Sequence, residues 1–184
     1  MEYLWLIVLA VVVVGVGLWQ LAVWIIETRA KSRQYKAACA CAREKCKPLL
    51  VAGGPWGATR TRHRLNKPAH GNGDVCLDIN PRAFDGHPRA VMASVTHIPF
   101  ADKCFGAVFA SHLLEHLPTV DAASQALAEL NRVAEAVYIV YPSRQSLAGW
   151  MVPDHHLWVW QKDSTTYLRQ RGKSNGKRAA EYYG

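Results

Sequence analysis

The chain has 184 residues and a net charge of +8, from 22 Lys and Arg against 14 Asp and Glu. The excess lies in two flanks, with a net of +5 in residues 27–47 and +4 in residues 162–184, whereas residues 48–161 are neutral. A neutral body argues against a nucleic-acid-binding domain, which would carry a basic face of its own, and the length fits one domain plus an appendage.

An uncharged apolar run opens the chain. Residues 3–26 contain no charged side chain. In a helix these residues would extend about 36 Å, which is enough to cross a hydrocarbon core of about 30 Å. A cleaved signal peptide would have a basic start and a shorter apolar core, but only Met1 and Glu2 precede this run. We therefore predict a transmembrane anchor over residues 1–26.

Residues 27–47 form a basic connector that is rich in Ala, Lys and Arg and is predicted to be helical. Basic residues beside a span mark the cytoplasmic side, so we expect a single-pass protein with its N-terminus outside and its domain in the cytoplasm. The same residues would favour anionic lipid headgroups. Cys39, Cys41 and Cys46 lie here; in a cytoplasmic protein with five cysteines they are interpreted as free thiols, with a metal site and acylation as alternatives.

Short apolar runs alternate with turns and helical patterns over residues 48–170, the predicted folded domain. Five runs are predicted as strands, at residues 49–52, 74–79, 90–93, 105–110 and 136–141. The fourth run leads into a helix-like segment with Leu113, Leu114 and Leu117, and residues 121–133 repeat apolar side chains at helical spacing. Strands that are apolar throughout are typical of covered parallel sheets. The predicted fold class is α/β, a Rossmann-like, doubly wound and mostly parallel sheet of about five strands preceded by one transmembrane helix. Residues 171–184 are predicted to be a basic flexible tail.

Glycines and one carboxylate stand at the ends of the first two predicted strands. Gly53, Gly54 and Gly57 follow the first strand, and glycines at such a turn let backbone N–H groups approach a ligand closely. Asp78 ends the second strand, where a carboxylate can accept hydrogen bonds from both hydroxyls of a ribose. The alternatives are an ordinary turn and a solvated loop carboxylate, but the two features together favour a nucleoside site.

Several short motifs follow Asp78 in order. They are HIPFAD at residues 97–102, FGAV at 105–108, SHLLEHL at 111–117, ELNRV at 129–133 and VYPS at 140–143. The set resembles class I S-adenosylmethionine-dependent methyltransferases of the type 11 kind, and the block from Pro-Phe to Glu-His is its most specific part. Residues 154–156 and 165–169 also resemble the late segment of that family, which precedes a helix.

This resemblance implies S-adenosylmethionine as the cofactor, lying across the ends of the first, second and fourth strands. By position, Gly53, Gly54 and Gly57 would lie along its methionine and ribose portion. Asp78 would take the ribose hydroxyls. The resemblance therefore implies the same kind of site as the strand-end residues.

The remaining implied contacts lie nearer the adenine and the transferred methyl group. Ser94 and Val95 would border the adenine, and Ser111 would sit at the edge of the methyl-transfer pocket. His112 is the one weak candidate for a general base. Ser94 and Gly106 stand where the family commonly has acids, and its usual last helix and two antiparallel strands are not expected in this chain. The resemblance is therefore to a truncated and degenerate member.

The function predicted is a membrane-anchored S-adenosylmethionine-dependent methyltransferase that acts on a lipid, quinone-like or membrane-associated substrate. The alternative is a possible pseudoenzyme, a non-catalytic methyltransferase-like subunit or assembly factor of a membrane complex, because the expected acids are missing. A protein partner or a second copy of the chain is expected to cover the exposed sheet edge.

A remote alternative is a zinc hydrolase. His112, Glu115 and His116 form an HxxEH pattern, which on a helix would place both histidines on one face. Asp154, His155 or His156 would then supply a third ligand. Because the Leu-Glu-His string also belongs to the methyltransferase pattern, which has no metal there, no metal site is predicted.

Overall fold

The computed structural model describes residues 3–56, 70–84, 86–163, 165–172 and 180–183. The helices and strands, in chain order, are α1 (Leu4–Glu44), β1 (Leu49–Ala52), β2 (Val75–Asp78), β3 (Ala90–Met92), β4 (Ala107–Ser111), α2 (Val120–Val133), β5 (Val137–Val140), α3 (Leu147–Met151), β6 (Leu157–Lys162), β7 (Thr165–Gln170) and β8 (Ala180–Tyr183). Two short 3-10 turns, Pro81–Ala83 and Leu114–His116, follow β2 and β4.

The first five strands form one parallel sheet in the order β3-β2-β1-β4-β5. Strands β1 and β4 are buried along their whole length because both faces of the sheet are covered. Helix α2 packs on one face through Leu127 and Leu130, and the second half of α1 packs on the other through Ala38 and Ala42. The predicted Rossmann-like fold class is confirmed.

Strands β6, β7 and β8 form a separate antiparallel sheet. Strand β8 lies within residues 171–184, which were predicted to be a flexible tail. The sequence predicted no antiparallel strands in this chain, and that prediction was wrong, because β6 and β7 pair along six residues. The physical reason is a period-two pattern in β6, which buries Leu157 and Val159 while Trp158 and Trp160 lie half-buried between them. Trp160 stacks on Tyr167 of β7 with ring centroids 5.3 Å apart.

Helix α1 unites the predicted anchor and the predicted connector in 41 continuous residues. Its last turns belong to the domain core, because Ala38 and Ala42 are buried against the sheet. At the start of β4 a Cβ on Gly106 would lie 2.8 Å from the Cα of Ala42, so only glycine lets the helix approach this closely. Gly106 therefore has a packing role at this contact.

The direction of α1 follows from its contacts with the sheet. Ala42 lies beside Gly106 at the start of β4, and the Tyr35 ring meets that of Phe109 farther along the strand at 5.3 Å. Glu27 accepts a hydrogen bond at 2.7 Å from the backbone N–H of Ser143, just beyond the end of β5. The helix thus runs antiparallel to the strands, and its apolar half leaves the domain at their carboxyl ends.

Among the described residues, α1 is the one helix long and apolar enough to cross a membrane. A core helix or a signal sequence can pass the same test, but 6% of its most apolar window is buried within the protein. The apolar side chains therefore lie outside the domain rather than in its core.

Candidate functional site

The carboxyl edge of the sheet brings together four of the predicted site residues. Gly53 and Gly54 follow β1, Asp78 ends β2 and Ser111 ends β4, and these are the three central strands. Gly53 has φ of +80° and donates its N–H to the carbonyl of Leu77 at 2.8 Å, which fixes the turn against the neighbouring strand. Gly57 lies outside the described residues.

Asp78 is buried, and both of its carboxylate oxygens accept hydrogen bonds. The indole Nε1–H of Trp56 donates to Oδ2 at 3.0 Å, and the backbone N–H of Asn80 donates to Oδ1 at 2.8 Å. The backbone N–H of Trp56 donates to the carbonyl of Ala83 at 3.0 Å, which holds the tryptophan over this edge. A ribose that binds Asp78 would compete with the Trp56 indole for Oδ2.

His70 packs over the same edge, between β1 and β4. A Cβ on Gly54 would lie 2.9 Å from the Cβ of His70, and His70 Nδ1 lies 2.6 Å from the carbonyl oxygen of Ser111. Burial lowers the pKa of His70 to about 4, and repulsion from the positive charge of Lys31 is the second cause. The ring is therefore neutral at pH 7, donates from Nδ1 and keeps its lone pair on Nε2.

Neither Trp56 nor His70 was among the residues selected from the sequence. Both lie in a long connection whose residues 57–69 are not described, and no local pattern specifies which strand end they reach. A weak signal was present for Trp56, since it stands within the glycine-rich turn after β1.

Ser111 and His112 mark the turn out of β4. Ser111 is fully buried, and its Oγ has no hydrogen-bond partner among the described residues. His112 adopts φ of +52°, and its Nδ1 lies 3.2 Å from Oε1 of the buried Glu115. The next residue, Leu113, approaches Gly53, where a Cβ would lie 3.1 Å from its Cδ1. A buried hydroxyl without a partner is uncommon in folded proteins and is suited to a ligand contact.

The adenine end of the predicted site follows β3. Ser94 Oγ lies 2.7 Å from Thr96 Oγ1 and accepts the Thr96 N–H at 3.2 Å. Val95 is buried in the core cluster that also contains Ile98. Ser94 is therefore the more accessible of the two, and their contact with adenine stays a prediction.

Two of the motifs that carry the resemblance, HIPFAD and ELNRV, bond to each other and form a clamp around Arg132. Arg132 donates to the carbonyls of Ile98 and Phe100 at 2.9 and 2.8 Å, and to Asp102 at 2.7 Å. Glu129 accepts from Arg132 and from the Ile98 N–H at 2.8 Å. Hydrogen bonding to Arg132 lowers the pKa of Glu129 to about 2. The spacing between HIPFAD and ELNRV thus joins the β3–β4 connection to α2.

The helical zinc-protease geometry is not formed by His112 and His116. The expected helix after β4 is reduced to the 3-10 turn Leu114–His116, and His112 lies before it in a left-handed conformation. The sharp turn at His112 ends the strand, and a second turn of helix does not follow. The remote alternative of an HxxEH zinc hydrolase therefore lacks the helix on which His112 and His116 would share a face.

Comparison with protein families finds one matching family model. Residues 66–136 match the family model described as a methyltransferase domain, of type 11. Over these residues the chain is similar to a class I, type 11-like methyltransferase domain. The match covers the connection before β2, strands β2 to β4, α2 and the clamp between them, so the resemblance that the motifs indicated is confirmed. No curated protein sequence matches the chain.

Three solved methyltransferases resemble the chain weakly. An S-adenosylmethionine-dependent methyltransferase from Clostridium acetobutylicum has a TM-score of 0.41 and 12% identity over 80% of this chain and 71% of its own. The 1,6-didemethyltoxoflavin-N1-methyltransferase of Burkholderia thailandensis, solved with S-adenosylhomocysteine, has a TM-score of 0.37 and 11% identity, over 83% of this chain and 62% of its own. An amino pentose methyltransferase from Micromonospora echinaspora, solved with S-adenosylmethionine, has a TM-score of 0.37 and 17% identity, over 82% and 61%.

Proposed function

We propose that this methyltransferase-like domain is an S-adenosylmethionine-dependent methyltransferase held at a membrane by α1, and that its substrate is a lipid, a quinone-like molecule or another membrane-associated molecule. The observation that carries the proposal is the direction of α1. Its apolar half leaves the domain at the carboxyl ends of the strands. In open α/β sheets this is the edge where ligands bind, so a bilayer around α1 would face the candidate site.

Contacts between α1 and the loop after β5 support this orientation. The Gln20 side chain donates to the carbonyl of Gln145 at 3.0 Å and accepts the N–H of Leu147 at 2.9 Å. Gln20 lies six residues inside the apolar run that ends at Ile26, or about 9 Å along a helix. The loop would therefore reach the level of the headgroups or slightly deeper.

Helix α3 presents apolar side chains at that same level. Leu147, Trp150 and Met151 are 46%, 51% and 78% exposed. The indole N–H of Trp150 donates to the carbonyl of Arg144 at 2.7 Å, and about half of the side chain remains exposed. Tryptophan is typical of the membrane interface, so these three residues would lie against lipid.

The basic residues of α1 follow the apolar half directly. Arg29, Arg33 and Lys36 are exposed and lie within about 15 Å of Ile26 along the helix. Positive side chains at this distance attract an anionic leaflet, which makes phospholipid headgroups a proposed partner and the cytoplasm the proposed side of the domain.

The residues at the strand ends fit the cofactor in type and position. Asp78 would accept the ribose hydroxyls once the Trp56 indole moves off Oδ2, and the Gly53–Gly54 turn would present backbone to the methionine portion. The bound cofactor would supply an electrophilic methyl group. The chain itself would orient that group and the nucleophile in line, and Glu115 would hold His112 Nδ1–H so that Nε2 can accept a proton.

The test uses the full chain in nanodiscs that contain a lipid extract from the source membrane. After incubation with S-adenosylmethionine carrying a tritiated methyl group, label is expected in the organic phase. Asp78→Ala should abolish the transfer. Glu135→Ala, which removes an exposed carboxylate just before β5 at the opposite edge of the sheet, should not. Cofactor binding without any transfer to lipid or protein would instead favour the alternative of a non-catalytic subunit.

The membrane position has a separate test. Brominated lipids should quench Trp150, so Trp150→Phe should lose a quenched component of the fluorescence. Trp160→Phe, on β6, serves as the matched control and should lose none. Equal effects of the two substitutions would contradict the proposed orientation.

A further inference from the structure

A cluster of metal-binding side chains lies beside the candidate site. Glu115, His116 and His155 each offer a ligand atom, and these three atoms lie within 4.8 Å of one another. The His116 and His155 rings meet with centroids 4.7 Å apart and planes at 75°. From this arrangement we infer that Glu115, His116 and His155 form a binding site for a divalent transition-metal ion, with Zn²⁺ as the first candidate.

Both histidines are oriented by backbone carbonyls. His155 Nδ1 lies 3.0 Å from the carbonyl oxygen of Gly149, and His116 Nδ1 lies 3.2 Å from that of Asp154. A carbonyl oxygen can only accept a hydrogen bond, so each neutral ring must carry its hydrogen on Nδ1. The lone pair of each ring is then on Nε2. This pairing is typical of histidines that bind metals through Nε2.

The carboxylate supplies an independent observation. The Glu115 side chain is 1% exposed; its Oε1 lies 3.2 Å from His112 Nδ1, and its Oε2 has no hydrogen-bond partner among the described residues. A buried carboxylate oxygen without a partner is destabilising, and a cation removes that penalty.

The backbone holds the three residues together although they are far apart in sequence. The N–H of His156 donates to the carbonyl of Glu115 at 2.7 Å. Arg171 donates to the carbonyls of Gly149, Val152 and His155, and to that of Trp150. The positive charge of Arg171 would repel a metal ion at this site. Its guanidinium, however, is directed to these carbonyls and to the face of Trp158.

The donor set favours Zn²⁺ and related ions. Two imidazoles and one carboxylate suit borderline metals rather than Mg²⁺ or Ca²⁺. Tetrahedral bonds of about 2.0–2.1 Å place ligand atoms about 3.3 Å apart, so the cluster must contract slightly when it binds. Since His116 is exposed, a fourth position would be open to water. The bound ion would join the turn after β4 to the loop before β6.

The experiment titrates the full chain in detergent, after chelator treatment and dialysis, with ZnCl₂ in a calorimeter and with CoCl₂ in a spectrophotometer. One ion per chain and visible bands of tetrahedral Co²⁺ are expected. His116→Ala changes an exposed ligand and should weaken binding at least about tenfold. His156→Ala, the neighbouring exposed histidine, is the matched control and should leave the affinity unchanged.

Folding is checked separately, because His155 and Glu115 are buried. Circular dichroism should be unchanged in His116→Ala, and Zn²⁺ should raise the melting temperature of the unsubstituted chain but not of this variant. The inference is overturned if the folded chain binds neither metal at 1:1 stoichiometry, or if His116→Ala binds both as tightly as the unsubstituted chain.

Discussion

Replacement of Trp56 by phenylalanine tests how the candidate cofactor site is closed. The indole N–H donates to Oδ2 of the buried Asp78 at 3.0 Å, and phenylalanine has no such donor. A hydrogen bond to a charged group contributes about 1.5–3 kcal/mol. If the ribose must displace the indole, Trp56→Phe should tighten S-adenosylmethionine binding by about tenfold to a hundredfold, at about 1.4 kcal/mol per factor of ten.

The assay is calorimetric titration of the full chain in nanodiscs, with the double variant Trp56→Phe, Asp78→Ala as control. Without the carboxylate, loss of the indole donor should leave the affinity of Asp78→Ala unchanged, because there is no hydrogen bond left to displace. Weaker binding in Trp56→Phe alone would show instead that the indole contacts the cofactor and need not be displaced by it.

Three further predictions concern stability. The pKa of His70 is about 4 in the folded chain against 6.5 ordinarily, so the unfolded chain binds the proton first as the pH falls. The free energy of unfolding should therefore fall by up to about 3 kcal/mol between pH 7.5 and pH 4. Urea unfolding of His70→Gln should lack this loss, and an equal pH dependence in that variant would contradict the prediction. Glu129, with a pKa near 2, should contribute stability above pH 4.5 that is lost as the pH falls toward 2, and Glu129→Gln should remove that change in acid unfolding curves. Gly106→Ala should destabilise the domain by about 1–3 kcal/mol by forcing α1 off β4, whereas Gly15→Ala, where a Cβ meets nothing within 4 Å, should not lower the melting temperature.

The parallel sheet could be predicted because its local patterns agree with its burial. Strands β1, β2, β3 and β5 fall within the predicted apolar runs, and β4 extends one residue beyond its run, to Ser111. Helix α2 begins one residue before the predicted helical stripe. Both faces of the sheet are covered, so nearly every strand residue had to be apolar, and that signal is readable without knowledge of the fold. The family resemblance supplied the strand ends at which to seek a site.

The parts that were not predicted depend on contacts between distant segments. The period-two pattern of β6 is short and its two tryptophans obscured it, so the second sheet was missed. Gly106 looked like a lost acid, whereas its small size reflects the approach of Ala42, 64 residues earlier. The Trp56–Asp78 hydrogen bond likewise joins the loop after β1 to the end of β2, and no sequence spacing specifies it.

The clamp around Arg132 also changes how the motifs should be interpreted. HIPFAD and ELNRV are two of the motifs that carry the resemblance, yet their polar groups bond to each other. Such motifs therefore identify the scaffold, and the case for activity depends on Asp78, Ser111 and the glycine turn.

The most direct test of a membrane-facing methyltransferase is cofactor binding by the full chain in nanodiscs, measured by titration with S-adenosylmethionine. We expect saturable binding of one molecule per chain, weakened at least about tenfold by Asp78→Ala, since the buried carboxylate would hold the ribose. Folded protein that shows no binding at millimolar cofactor, or binding that Asp78→Ala leaves intact, would contradict it.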